Sequence, residues 1–206
     1  MERIVELVVR ELYERAHLEM SEAHGAVRVA TAILGAECVR LVPPQAIPGN
    51  AALAWSRRGA AMYIRAGLSP REVNHAAAHE LAEWKLQIAG YSGADAEEVA
   101  GRIAAALCVP RPAFERARRH IGDSIHALSG CFAVSQSLMA LRFGECVGRA
   151  TALLTTARVK TRGARYDWPA TSAAWHALLA RPEQAGFTAH RIDDAPGRVA
   201  LVARRQ

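Results

Sequence analysis

Long apolar runs are missing from this chain. Nothing in it approaches the ~18 consecutive apolar residues that a membrane span requires, so no membrane partner is expected. A secretory leader is missing as well. The opening segment Met1-Glu-Arg-Ile-Val-Glu-Leu-Val-Val-Arg-Glu-Leu12 is amphipathic and charged throughout, without the basic-then-apolar order of a signal peptide, so a cytoplasmic protein is expected. Cysteine pairs are absent. Cys38, Cys108, Cys131 and Cys146 are scattered, each in an apolar setting and none in a C-x-x-C spacing. That argues against a cysteine metal site and favours buried free thiols in a reducing compartment. There is no internal repeat and no low-complexity tract.

What is present suits a folded domain with an appendage. The chain has 206 residues, 51% hydrophobic and 22% charged, enough to bury a sizeable core. Its net charge of +6 is unevenly placed: residues 149–206 carry ten Lys and Arg against four Asp and Glu, while the rest balances. A basic C-terminal third suits nucleic acid or an acidic partner. Its ordinary reading is a solvated, arginine-rich surface.

Helical periodicity covers about residues 2–19 and 24–35. Residues 37–42 alternate like a strand and stop at Pro43-Pro44, and residues 51–56 and 60–65 form two more strands around a tight turn. A helix capped by Ser69 follows, with Pro70 in its first position, Glu72 as capping-box partner and Gly90 past its end. Asp95 caps the next helix, with Glu98 three residues on, and Pro110 stops it. A further helix opens at Pro112. Residues 124–143 read as a short helix, a turn and a Ser135-capped second helix, spaced like a helix-turn-helix pair. Beyond residue 148 come a hairpin, a helix over 172–180 and a second hairpin. The expected division is residues 1–148 and a basic α/β appendage over 149–206, packed on the core through Trp168, Trp175 and Phe187.

The informative stretch is Ser69-Pro-Arg-Glu-Val-Asn-His75-Ala-Ala-Ala-His79-Glu80-Leu-Ala-Glu83-Trp84. His79 and Glu83 are four apart and share a helix face, with Glu80 a third of a turn around. This is the layout of an H-E-x-x-H metallopeptidase helix, with two ligands one turn apart and a glutamate general base between them. The second histidine is the missing piece, since Glu83 stands in its place. Alone, the pattern also fits a solvated helix face. Its dense apolar flanks argue otherwise, because buried charge must be paired or metal-bound. Glu97, near the start of the next helix, is placed to be a third ligand.

These segments resemble the ImmA/IrrE-like metallopeptidases over about residues 24–165. Ala78-His79-Glu80-Leu81-Ala82-Glu83 is similar to that family's A-H-E-L-x-H. Glu97-Glu-Val-Ala-Gly101-Arg-Ile-Ala-Ala-Ala-Leu-Cys-Val-Pro110 is similar to its E-x-x-A-N/D helix, and Leu128–Ser135 to its L-A-x-x-F-x-V-S stretch. The resemblance implies His79, Glu83 and Glu97 as metal ligands, Glu80 as catalytic base, and a DNA-binding repressor as the protein substrate. Glu83 and Gly101 are the departures. A glutamate ligand adds negative charge and lowers the Lewis acidity of Zn2+, and harder Mn2+ tolerates it better. A His75/His79 pair with Glu83 behind it is the alternative ligand set.

Direct DNA reading is the less favoured role for the helix-turn-helix-like pair. Gln136 and Arg142 sit where a reader would place base contacts, but residues 124–148 hold too few cations for phosphate anchoring. The sequence thus leads to an α+β protein: a zincin-like, mostly helical core with a small sheet, a helix-turn-helix-like pair and a C-terminal α/β appendage. Its expected activity is that of a metal-dependent endopeptidase acting on a cytoplasmic repressor-type protein. The alternative is a catalytically degenerate relative that binds a repressor or DNA.

Overall fold

The computed structural model describes residues 2–57, 59–149, 151–154, 159–162, 169, 175, 178–192 and 199–203. The protein is α+β, with one three-stranded and one four-stranded sheet among the described residues. Its chain divides into two compact units, Met1–Gly122 with Gly130–Val134, and Asp123–Ser129 with Ser135–Gln206. None of the helices among the described residues is long and apolar enough to cross a membrane.

The first unit opens with α1 (Glu2–Arg15), which buries Val5, Val9, Leu12 and Tyr13, the i, i+4, i+7, i+8 stripe of an amphipathic helix. α2 (Ala26–Leu34) and a 3-10 turn lead into β1 (Val39–Val42), followed by the β2 (Ala51–Ser56) and β3 (Gly59–Arg65) hairpin. The sheet order is β1-β3-β2, with β1 parallel and β2 antiparallel to β3, so β2 is an edge strand. Then come α3 (Pro70–Ile88), α4 (Ala96–Cys108) and α5 (Arg111–Ile121).

α3 begins as its sequence dictates. The Glu72 amide donates to Ser69 Oγ at 3.4 Å, and Glu72 Oε2 accepts from the Ser69 amide at 2.8 Å, a complete capping box. Its small residues Ala76, Ala77, Ala78 and Ala82 are buried with Leu81. Alanines let the backbones of neighbouring helices approach, and α3 packs against α2, α4, β2 and β3. Tyr13 Oη donates to the Leu107 carbonyl at 3.3 Å and ties α1 to α4. The α4 start differs from expectation. Asp95 makes no side-chain cap; its carboxylate instead accepts from Tyr91 Oη at 2.6 Å.

Asn74, buried in α3, organises the unit from within. Its Oδ1 accepts from the Ala26 amide at 2.5 Å, capping α2, and its Nδ2 donates to the Phe132 carbonyl at 3.2 Å. Gly25 is required beside it: φ is +63°, and a Cβ there would lie 3.3 Å from Asn74 Oδ1.

The second unit contains α7 (Gln136–Val147), capped by Ser135, and the sheet β5-β4-β7-β6, antiparallel throughout. Its strands are β4 (Thr151–Leu154), β5 (Val159–Arg162), β6 (Phe187–Arg191) and β7 (Val199–Ala203). The two expected hairpins therefore join into one sheet. Ala152, Leu178, Phe187 and Leu201 form its core, with Trp175, Leu179 and Val199 against it. Trp175 and Phe187 thus serve this unit's own core. Trp168 and most of the expected 172–180 helix lie outside the described residues. α6 (Ile125–Cys131) precedes α7. The thiols are free, but only Cys108 and Cys146 are buried; Cys38 is half-buried and Cys131 exposed, because a short helix leaves one face to solvent.

Candidate metal centre

α3 carries the candidate centre beside the surface on which α4 packs. His79 Nε2 lies 3.2 Å from Glu83 Oε1, one turn along the same helix. The same nitrogen lies 3.4 Å from Glu97 Oε1, which arrives from the first turn of α4. One donor atom from each of the three residues lies within 4.8 Å of the others. Donors about 2.1 Å from a tetrahedral metal stand about 3.4 Å apart, so this spacing suits a shared cation. The donor chemistry agrees: one imidazole nitrogen and two carboxylate oxygens fit zinc or a harder divalent ion. His79 is half-buried, and Glu83 and Glu97 are exposed, so the cluster opens to solvent on its acidic side.

Glu80 faces another way. Its Oε2 accepts a 2.8 Å hydrogen bond from the Leu53 amide on β2. Burial raises its carboxyl above the ordinary value of 4.5; the Leu53 hydrogen bond opposes that rise, the Glu83 charge adds to it, and His79 opposes it. His75 is exposed on the preceding turn, its ring centroid 6.3 Å from that of His79, and it is not one of the three converging residues. Gly101, where the resembled family has Asn or Asp, has open space around a notional Cβ.

The helix-turn-helix-like segment does not present a reading head. Arg142 is 1% exposed and pairs through Nη1 with Glu145 Oε2 at 3.1 Å. Gln136 is also buried, and its Nε2 lies 3.0 Å from His126 Nδ1. The two residues placed at base-contact positions by spacing alone are therefore interior groups. The reason is that α7 is buried around most of its circumference, Ser137, Met139, Ala140, Phe143, Gly144 and Cys146 included.

No protein-family model and no curated protein matches the chain. Among solved structures it is similar to a Mycobacterium tuberculosis transcriptional regulator, at a TM-score of 0.60 and 13% sequence identity. That likeness covers 98% of this chain and 76% of the other, and it is one of fold.

The Leu53 amide at the site and Asn74 in the interior are not among the residues expected from the sequence. Leu53 contributes its amide rather than its side chain, and only tertiary structure brings β2 to Glu80. Asn74 had one available signal, a carboxamide on an otherwise alanine-lined helix face.

Proposed function

We propose that the chain is a regulatory protein of the transcription-control class, built on an ImmA/IrrE-like scaffold, that holds a divalent cation at His79, Glu83 and Glu97. The observation that carries this reading is the convergence of one imidazole and two carboxylates at the spacing of a metal's ligands. The fold likeness to a transcriptional regulator supports the regulatory class. The partner is a repressor-type DNA-binding protein. Zn2+ is the expected ion, with Mn2+ favoured by the second carboxylate.

A bound cation supplies Lewis acidity, reduced here by the extra carboxylate charge. Glu83 and Glu97 both meet the Nε2 of His79, the ring nitrogen that would share the cation with them. Glu80 holds or releases a proton at its carboxylate, and its attachment to the Leu53 amide keeps that carboxylate on the strand. These features favour binding a partner over cutting it.

A second reading, metal-dependent endopeptidase with Glu80 as general base, has one observation of its own. The Glu80 carboxyl is raised by burial, the direction that brings a carboxylate toward useful acid–base chemistry near neutral pH.

Elemental analysis of the purified full chain tests the common core of both readings. We expect about one equivalent of zinc or manganese, lost in His79→Ala. No metal, as purified or after reconstitution with either ion, would overturn both. Incubating the loaded protein with repressor-type proteins then separates them. A stable complex without fragments supports the regulator; fragments in mass spectra, absent with Glu80→Gln, support the peptidase.

A further inference from the structure

The two sides of α1 differ in kind. Inward, Val5, Val9, Leu12 and Tyr13 are buried. Tyr13 bonds to the Leu107 carbonyl, Glu2 and Glu6 pair with Arg111, and Glu11 pairs with Lys85, so the helix is fixed to its unit at both ends. Outward, Arg3, Leu7, Arg10 and Glu14 are all exposed. They follow one another at intervals of four, three and four residues, which is the spacing of seam residues in a helix pair. Ile4 stands beside Leu7 on the same side, and the two are 54% and 51% exposed. Among the described residues, the side chains of Arg3, Arg10 and Glu14 make no hydrogen bond or ion pair.

The order of these groups matters. Arg3 lies at one end of the line and Glu14 at the other, about 16 Å apart along the axis. Leu7 and Arg10 lie between them. A second copy of α1 running the opposite way meets this order in reverse. Arg3 then faces Glu14 of the second copy at each end, and Leu7 faces the methylene stem of Arg10 at both middle positions. That reciprocity, residue i on j and j on i, is what a twofold axis imposes. A parallel pair would set arginine on arginine and glutamate on glutamate. A nucleic acid or anionic membrane suits the line poorly, because Arg3 and Arg10 are matched on that side by Glu11 and Glu14.

We propose that the outward face of α1 is the interface of a twofold homodimer, in which α1 packs antiparallel on α1 of a second copy, covering Ile4 and Leu7 and pairing Arg3 with Glu14 of the second copy at both ends. One helix from each side makes a small interface, so the association is reversible and depends on concentration. A dimer offers each of its surfaces twice, and a partner that is itself dimeric is then held at two points. The inference goes beyond the reading of the His79 cluster and needs no cation.

The test is sedimentation velocity of the full chain over a concentration series, with circular dichroism to check that each variant folds. Wild type should pass from monomer to dimer as concentration rises, with a micromolar midpoint. Leu7→Asp sets a carboxylate at the covered centre and should weaken the dimer on the order of a hundredfold. Arg3→Glu alone and Glu14→Arg alone each place two like-charge contacts in the dimer and should weaken it on the order of tenfold. The two reversals together restore opposite charges, so the double variant should return to near wild-type affinity. That rescue keeps the test decisive if Leu7→Asp folds poorly. A monomer at every concentration would overturn the proposal. So would a dimer indifferent to Leu7→Asp and to both single reversals, or single reversals that the double variant does not rescue. Because no cation takes part, either result leaves the elemental analysis of the His79 cluster standing.

Discussion

The imidazole of His79 and the carboxylate of Glu83 meet at 3.2 Å across one turn of α3, in the place where a second histidine completes an H-E-x-x-H helix. Glu97 closes on the same nitrogen from α4 at 3.4 Å. Glu83→His exchanges a charged donor for a neutral imidazole on the same turn. Zinc affinity should rise in this variant, because imidazole suits zinc and the site loses one negative charge. Competition with a chromophoric zinc chelator measures it. Weaker binding than wild type would show that Glu83 contributes more than its position.

Glu80 predicts a pH dependence of stability. Its carboxyl is raised in the folded state, chiefly by burial, above the ordinary 4.5. Between the two values the folded protein binds more protons than the unfolded chain, so this group's contribution falls as pH rises through that window and is level above it. Glu80→Gln removes the titration. Denaturation midpoints of wild type minus variant, plotted against pH, should descend from about pH 4.5 upward. A flat difference would mean that burial does not disfavour the charged form.

Asn74 bridges two backbone groups, the Ala26 amide and the Phe132 carbonyl. Asn74→Ala leaves the Ala26 amide and the Phe132 carbonyl without it, at about 1–3 kcal/mol for each buried group orphaned. Asn74→Asp keeps the acceptor for Ala26 but loses the donor to Phe132, so it should also destabilise. Urea unfolding of both variants checks this, and a change under about 0.5 kcal/mol in either would show that water or local rearrangement replaces the amide.

Arg142 and Glu145 form an interior pair on α7. Arg142→Ala takes the guanidinium away from a buried carboxylate and should cost about 3–5 kcal/mol, whereas replacing both residues with Met and Leu should recover most of that loss. Any duplex DNA affinity should show the same salt dependence before and after the double substitution. A shallower salt slope in the double variant would return Arg142 to the role of a phosphate contact.

How much of this was legible beforehand differs from residue to residue. The Ser69 capping box, the Ser135 cap and the β2–β3 hairpin follow from local rules, because each is decided within a few residues of chain. The shared face of His79 and Glu83 follows from helix geometry alone. The convergence of Glu97 is of another kind. Spacing made it a candidate, but only the packing of α4 against the alanine surface of α3 carries its carboxylate to His79.

Other features had no local determinant. Asp95 had the sequence of a cap and became the acceptor of Tyr91 instead, since a carboxylate takes whichever donor the folded loop brings nearest. Arg142 and Gln136 had the spacing of DNA contacts, yet burial is a property of the whole unit and turned them inward. The sequence by itself determined most of the elements, the Ser69 and Ser135 caps and the identity of the candidate ligands, because these depend on neighbours along the chain. Tertiary structure alone decided that Glu80 engages the Leu53 amide, that Asn74 clamps α2 and the Phe132 turn, and that α7 is a core helix. Each joins groups far apart in sequence, and such contacts exist only once the chain has paid the entropy of bringing them together.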